Sequence, residues 1–355
     1  MNRRSYKGAS DLKLVQDFSA AAIAETDGCG YIHPGNIPHR LFNGNRYFDP
    51  AKVMTIWEDD AGVAAWLLVG PRHKSYDAQV RPDLRSNGFE KKVLQYADER
   101  TVELMQRHNI KGDRFYGDAY RCDTVRSSLL LDLGWKLKER SFFIQNRIKL
   151  ANLSKPVLPE GYTIRAARGI KDAAALAELK VAAFGSEWTA DMVRYVIESP
   201  GYAPEREFII QAPDDTPVAY TVTWHDRLNR TGLFEPVGTH KDYRRLGLGR
   251  AVVQYGMLQM AAKGMEFATV DNASDNKASR ELYKPAVSNP GTRWTNIQNS
   301  FPLSRQTVFF TPEILFGMRA TAFSSLLPGQ KAEFRSNDLC PHAFFGARGL
   351  VEIAS

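Results

Sequence analysis

Apolar positions along this chain recur at two periods, and the places where one gives way to the other mark its elements. Leu248, Val252, Tyr255, Leu258 and Ala262 fall three or four residues apart, which is one face of a helix. Lys263-Gly264 ends that helix with a cation and a stop residue. Gly232–His240 before it and Met265–Val270 after it predict strands. In Val218–Trp224, the residues Val218, Tyr220, Val222 and Trp224 alternate with small or hydroxyl residues, the period of a sheet strand; Phe208–Gln211 precedes it across an Asp214-Asp215 turn. Tyr162–Arg165 opens this half as a strand, and Asp172–Phe184 follows as its first helix. Between the strand at 232–240 and its helix lies Arg244-Arg245-Leu246-Gly247-Leu248-Gly249-Arg250. A strand, a glycine-rich turn and a helix in that order build an anion site. The glycines let the backbone approach closely, and the first helical N–H groups point at whatever docks there. Two arginines add fixed positive charge suited to a pyrophosphate.

The same order of elements occurs earlier in the chain. Asp11–Glu25 is helical in pattern, and a Gly/Pro/Asn-rich loop covers Gly28–Pro38. Val53–Trp57 and Gly62–Gly70 read as strands around an Asp59-Asp60 turn, and Asp77–Val80 as a short third strand. A turn containing Arg85 then leads into a helix through about Gln106. Arg85 precedes Arg244, and Asp123 precedes Asn276, by nearly the same offset, which indicates a tandem duplication. Ser154–Gly161, with Pro156 and Pro159, reads as a linker between a first domain at 1–153 and a second beginning at 162. The copies differ in chemistry. Glu90 stands where the second copy has Gly249, and Leu130 where it has Tyr283. A carboxylate at the anion site predicts a first copy that neither binds nor catalyses, and that serves structure or closes over a substrate.

Composition narrows the class. With 43% hydrophobic and 25% charged residues, the chain is ordinary for a globular protein and long enough for two cores. The longest apolar stretch, Val63–Val69, is too short to cross a bilayer, so no membrane role is expected, and no apolar signal core follows Arg3 and Arg4, so secretion is not expected. A net charge of +7 raises nucleic acid as a partner, but the basic residues are scattered among acids, so none is expected. Three cysteines (Cys29, Cys122, Cys340), far apart and odd in number, argue against a disulfide framework and against zinc, and suit the cytoplasm. None of the seven histidines stands at metal-binding spacing, so no metal is expected.

Arg244-x-x-Gly247-x-Gly249, followed by Asn276 and the Leu282-Tyr283 pair, resembles the GNAT superfamily of N-acetyltransferases. The duplication resembles the tandem GNAT arrangement of mycothiol synthase and its relatives, over about residues 10–284. The resemblance implies an α/β fold of the α+β kind: a mixed, mostly antiparallel central sheet flanked by helices, once in each of two domains. It implies acetyl-CoA as co-substrate and a small-molecule amine as acceptor. The backbone of Arg244, Arg245, Leu246, Gly247, Leu248, Gly249 and Arg250 would hold the pyrophosphate. Val237, Gly238 and Thr239 would pair with the pantetheine arm where this strand splays from its neighbour, and Asn276 would bond to the pantetheine or position a water. Tyr283 matches the family tyrosine that protonates the departing thiolate; packing alone is its other reading, and an ordinary N-cap is that of Asn276. For the base, Glu235 lies four residues before Thr239, and strand alternation predicts that the two face the same side. It would relay the amine's proton or attract an ammonium group, with His240 and His225 as outside alternatives. A GNAT-fold protein that binds without turnover, and an acyltransferase for a longer chain, stay open.

The resemblance stops at Tyr283. The family continues with a Gly-Phe pair and two more strands, whereas Pro285 and Pro290 break the helix here and no alternation follows. Codons can be chosen for Lys284–Ser300 so that reading one base earlier restores Gly-Phe and a strand. A frameshift near Lys284 is therefore expected, leaving 162–284 as the cofactor-binding domain and 285–355 as an irregular tail. A genuine extension packing on the second domain is the alternative.

Overall fold

The computed structural model describes residues 1–86, 88–137, 142–283 and 295–306. In the first half, β1 (Asn2–Ser5) and α1 (Ala9–Thr26) lead into a long crossing segment that contains α2 (Asn36–Pro38) and a wide helical turn over His39–Gly44. Then come α3 (Pro50–Val53), β2 (Met54–Asp59), β3 (Gly62–Gly70), β4 (Ser75–Val80), α4 (Phe89–Arg107), β5 (Arg114–Tyr120), α5 (Thr124–Asp132), β6 (Lys136–Leu137) and β7 (Phe143–Lys149). The second half repeats the plan: β8 (Thr163–Ala166), α6 (Ala173–Phe184), α7 (Ala190–Glu198), β9 (Glu207–Gln211), β10 (Pro217–Asp226), β11 (Thr231–Thr239), α8 (Leu248–Ala262), β12 (Phe267–Ala273) and α9 (Lys277–Leu282). A last strand, β13, covers Thr295–Gln306. The expected helices and strands of both copies fall within a few residues of their predicted ends.

Each half is a run of antiparallel strands that ends in one parallel pair, β4 with β5 and β11 with β12. Packing follows the strand period. On β9, Phe208 and Ile210 join the core under α8, while Ile209 joins the core under α6 and α7. The second sheet is therefore covered on both faces, by α8 on one and by α6 and α7 on the other. In the first half, Trp66, Leu67 and Leu68 of β3 are fully buried in a core shared with Leu12 and Val15 of α1 and Val93 and Leu94 of α4.

The halves exchange strands. β7, which follows the first copy, runs antiparallel to β12 of the second, with Phe143–Lys149 opposite Ala273–Phe267. β13, which follows the second copy, pairs with β5 of the first and with β7. One continuous order results: β1-β2-β3-β4-β5-β13-β7-β12-β11-β10-β9-β8.

Two expectations are corrected. Thr295–Gln306 is not irregular but a strand. The slot between β5 and β7 presents two rows of backbone N–H and C=O groups, and pairing there reads backbone rather than an alternating side-chain pattern. The rest of the tail, with Val308–Phe310 and Ile314–Phe316, lies outside the described residues. The cysteines also pair: Cys29 and Cys122 form a disulfide with Cα atoms 6.0 Å apart. Their distance in sequence hid this, because the fold brings the loop after α1 beside the start of α5. Among the described residues, no helix is long and apolar enough to cross a membrane.

Candidate active site

The anion turn is built from two left-handed residues. Arg245 (φ 67°) and Gly247 (φ 78°) curl the chain between β11 and α8, and Gly247 stands at the N-cap. The first N–H groups of α8 thus have no carbonyl of their own helix to bond and face outward. Gly249 is the close-approach position: a Cβ there would lie 3.2 Å from Thr239 Oγ1 and 3.9 Å from the Leu282 side chain. Leu248 anchors the turn by burial in the α8 core, while Leu246, Arg245 and Arg250 are exposed. Arg244 donates from Nη2 to the Ala183 carbonyl (3.2 Å), which ties the turn to the end of α6.

β11 pairs with β12 only through Thr231, Gly232 and Leu233, opposite Phe267, Ala268 and Thr269. Beyond that the strands diverge, so the β11 edge along Val237, Gly238 and Thr239 faces the opening. Val237 is buried toward α8. Gly238 has to be glycine, since a Cβ would meet Tyr220 at 2.7 Å and Phe184 at 2.9 Å.

Glu235 does not share a face with Thr239. Between Thr221↔Val237 and Thr223↔Phe234, β11 carries one residue more than β10, a β-bulge at Glu235-Pro236. Phe234 and Val237, three apart, therefore both point into the α8 core. Thr239 lies on that side, next to Gly249. Glu235 is turned to the opposite face, where the segment between α1 and α3 of the first domain covers it. It is 2% exposed. Asn36 Nδ2 donates to Oε2, His39 Nε2 stands 3.6 Å from Oε1, and Trp224 Nε1 donates to the Glu235 carbonyl oxygen at 2.8 Å. Burial pushes the Glu235 carboxyl up to about 8, with Asp271 and Asp77 adding to the rise and Arg40 and Asn36 opposing it. Burial, with Lys180, Arg40 and Arg46 nearby, holds His39 neutral, its value pushed down to about 3.

Tyr283 follows α9 and is 4% exposed, packed in the α8 core with Val252 and Val270. Burial raises its phenol well above the ordinary value, and the charge of Asp271 adds to this. Asn276 caps α9, its side chain accepting from Ser279 N at 3.1 Å. Asp123 caps α5 in the same way, accepting from Arg126 N at 3.0 Å. Of the alternative histidines, His240 accepts from Asp242 N at 3.2 Å in its own turn. His225 is half-buried and lowered to about 4, chiefly by burial. Neither contacts Glu235. Asp271, 3% exposed on β12, was missed by the sequence reading, as were Asn36 and Arg40, while His39 was read as flanking a Pro/Gly-rich loop. A carboxylate inside a strand otherwise suited to burial was the available signal for Asp271. The other three lie in the short helical turns between α1 and α3, where no apolar period marks them.

The matching place in the first domain is filled from within. Arg85 bonds Glu90 through Nε (2.9 Å) and Asp123 through Nη2 (2.7 Å), and Arg126 reaches Glu90 at 3.4 Å. Glu90 is 1% exposed, so its carboxylate occupies the space by the turn instead of leaving it for an anion.

Residues 173–286 match the family model described as the acetyltransferase (GNAT) family. The chain carries a GNAT acetyltransferase domain. Solved GNAT proteins share this fold over most of the chain. A GCN5-related N-acetyltransferase from Sphaerobacter thermophilus is 18% identical over 86% of this chain and 95% of its own, with a TM-score of 0.57. A tandem GNAT protein from the clavulanic acid biosynthesis pathway is 12% identical over 86% and 98%, with a TM-score of 0.58. An acetyltransferase of the GNAT family from Colwellia psychrerythraea is 12% identical over 86% and 99%, with a TM-score of 0.51. At such identities the likeness is one of fold, and it spans both halves. No curated protein matches the chain. GNAT enzymes are acyltransferases that draw on acyl-CoA, and the match at residues 173–286 places the second half of this chain among them.

Proposed function

We propose that the second half transfers an acetyl group from acetyl-CoA to a primary amine of a small molecule, both held together in one ternary complex. The observation that carries this reading is the opening between β11 and β12, with the start of α8 at its outer end and a buried carboxylate at its inner end. The close approach at Gly249 suits a pyrophosphate that must reach backbone N–H groups. Arg244 through Arg250 hold it, and Val237 to Thr239 offer their free edge to the pantetheine amides, with Asn276 near its far end. Acetyl-CoA supplies the acyl group as an activated thioester. Glu235 takes the proton of the attacking amine as the C–N bond forms, directly or through a water. Its raised value suits a base that works near neutral pH. Tyr283 gives a proton to the sulfur as the C–S bond breaks.

Isothermal titration with acetyl-CoA, followed by a thiol-release assay against an amine panel, tests the proposal. One acetyl-CoA per chain and thiol release with some amine are expected. Binding without release selects a second reading, a GNAT-fold module, which the burial of the Tyr283 phenol favours. A cytoplasmic location belongs to the first reading, and the Cys29–Cys122 bond is the observation that counts against it.

A further inference from the structure

The segment between α1 and α3 belongs to the first domain but is moored on the second. His33 bonds the Thr231 carbonyl through Nε2 at 3.0 Å while its Nδ1 accepts from Gly35 N, also at 3.0 Å, so Nε2 carries the proton. Gly35 lies so close to Trp224 that a Cβ would fall 2.1 Å from that side chain. Further along, Arg46 donates to the Glu187 carbonyl at 2.9 Å, and Asn229 of the second domain reaches back to the Ala20 carbonyl at 2.9 Å. Between these moorings stand Asn36 and His39, one against each oxygen of Glu235.

We infer that Asn36 is a positioning residue for Glu235, so that the acetyl-transfer centre is completed by the domain whose own anion site is blocked. This rests on the reading of Glu235 as the base. Asn36 holds one carboxylate oxygen by a single neutral donor, which fixes the direction of the other oxygen. His39 borders that second oxygen without a hydrogen bond, since 3.6 Å is too long for one. The remaining charges around Glu235 are set so as not to quench it. Arg40 is turned to Asp77 of β4 at 2.6 Å rather than to Glu235. Asp271 faces it from β12 with the same sign, and Lys180 of α6 stands beyond His39. A direct arginine partner would keep the carboxylate permanently ionised and too weak a base. An amide donor orients it while leaving it able to take a proton.

Asn36→Leu removes the donor while keeping the branched shape of the side chain, and Asn36→Asp replaces it with a like charge. A hydrogen bond to the ionised form lowers the pKa, so its loss is expected to move the acid limb of the kcat/KM profile upward by about 1–2 pH units. Asn36→Asp is expected to move it further up, and His39→Leu less than either. The KM for acetyl-CoA stays near the wild-type value, because Asn36 is remote from α8. If both Asn36 variants lower the rate evenly at every pH with the limb unmoved, the residue only supports the fold and the inference falls. The titration is also read without turnover, as the pH above which urea-unfolding stability stops falling in wild type and in Asn36→Leu. An upward shift in the variant supports the positioning even if no amine is acetylated, an outcome that would count against the acetyltransfer reading alone. No shift overturns the positioning whatever the assay shows.

Discussion

Replacing Glu235 with glutamine is expected to stabilise the protein, and increasingly so as the pH rises. In the unfolded chain this carboxyl has the ordinary value of 4.5, whereas burial under the first domain pushes it up to about 8 in the folded protein. Between those values the folded protein keeps a proton that the unfolded chain has released. Stability is therefore highest below 4.5 and falls as pH rises, by about 1.4 kcal/mol per unit, until the folded group itself ionises near 8. From pH 5 to pH 9 the loss is about 4 kcal/mol. A glutamine keeps an oxygen to accept from Asn36 and does not titrate, so the variant lacks this loss. Urea unfolding of both proteins at unit steps of pH measures it as the gap between their stabilities. The gap is expected to widen by about 4 kcal/mol across that range, with most of the change below pH 8. A gap that stays constant to within about 1 kcal/mol would show that Glu235 is already ionised in the fold, and the account of the bulge as a buried, protonated site would fail.

Other perturbations probe the remaining parts. Gly249→Glu crowds Thr239 and sets a like charge at the anion turn, so titration calorimetry is expected to find acetyl-CoA binding abolished; retained binding would remove the pyrophosphate from this turn. Tyr283→Phe is expected to lower kcat by roughly 10²-fold with little change in acetyl-CoA affinity, the scale of a lost acid, and unchanged turnover would make Tyr283 a packing residue. Glu90→Gly strips a buried partner from Arg85 and Arg126 and is expected to lower stability by about 3–5 kcal/mol without creating a second acetyl-CoA site. A stoichiometry of two in that variant would show that Glu90 alone had blocked the first copy.

Much of this fold was legible because its elements are regular. The strand, glycine turn and helix around Gly247 carry their own punctuation, and the first copy repeats it with Glu90 in the wrong place for an anion. The side to which Glu235 points was misjudged for one physical reason. Alternation assumes one residue per step, and the bulge at Glu235-Pro236 inserts an extra one, which reverses the parity for residues beyond it. The neighbours of Glu235 were invisible for another reason. Asn36 and His39 reach it from short helical turns some two hundred positions away, and no local period records such a contact. The disulfide and the strand at Thr295–Gln306 share that cause, since both depend on what the folded chain brings alongside them.

The exchanged strands give the chain a problem in time. Synthesis delivers β5 long before β13, so one edge of the first sheet stays raw while the whole second copy is made, roughly ten seconds to half a minute at ordinary elongation rates. Over the same interval β7 has no β12 to join. The first copy thus cannot be finished by the time it leaves the ribosome, and its open edge invites pairing with other nascent chains. The duplicated halves have become hostages to one another. A cut at 154–161 would not release two small enzymes but two incomplete sheets, each holding the strand that the other lacks.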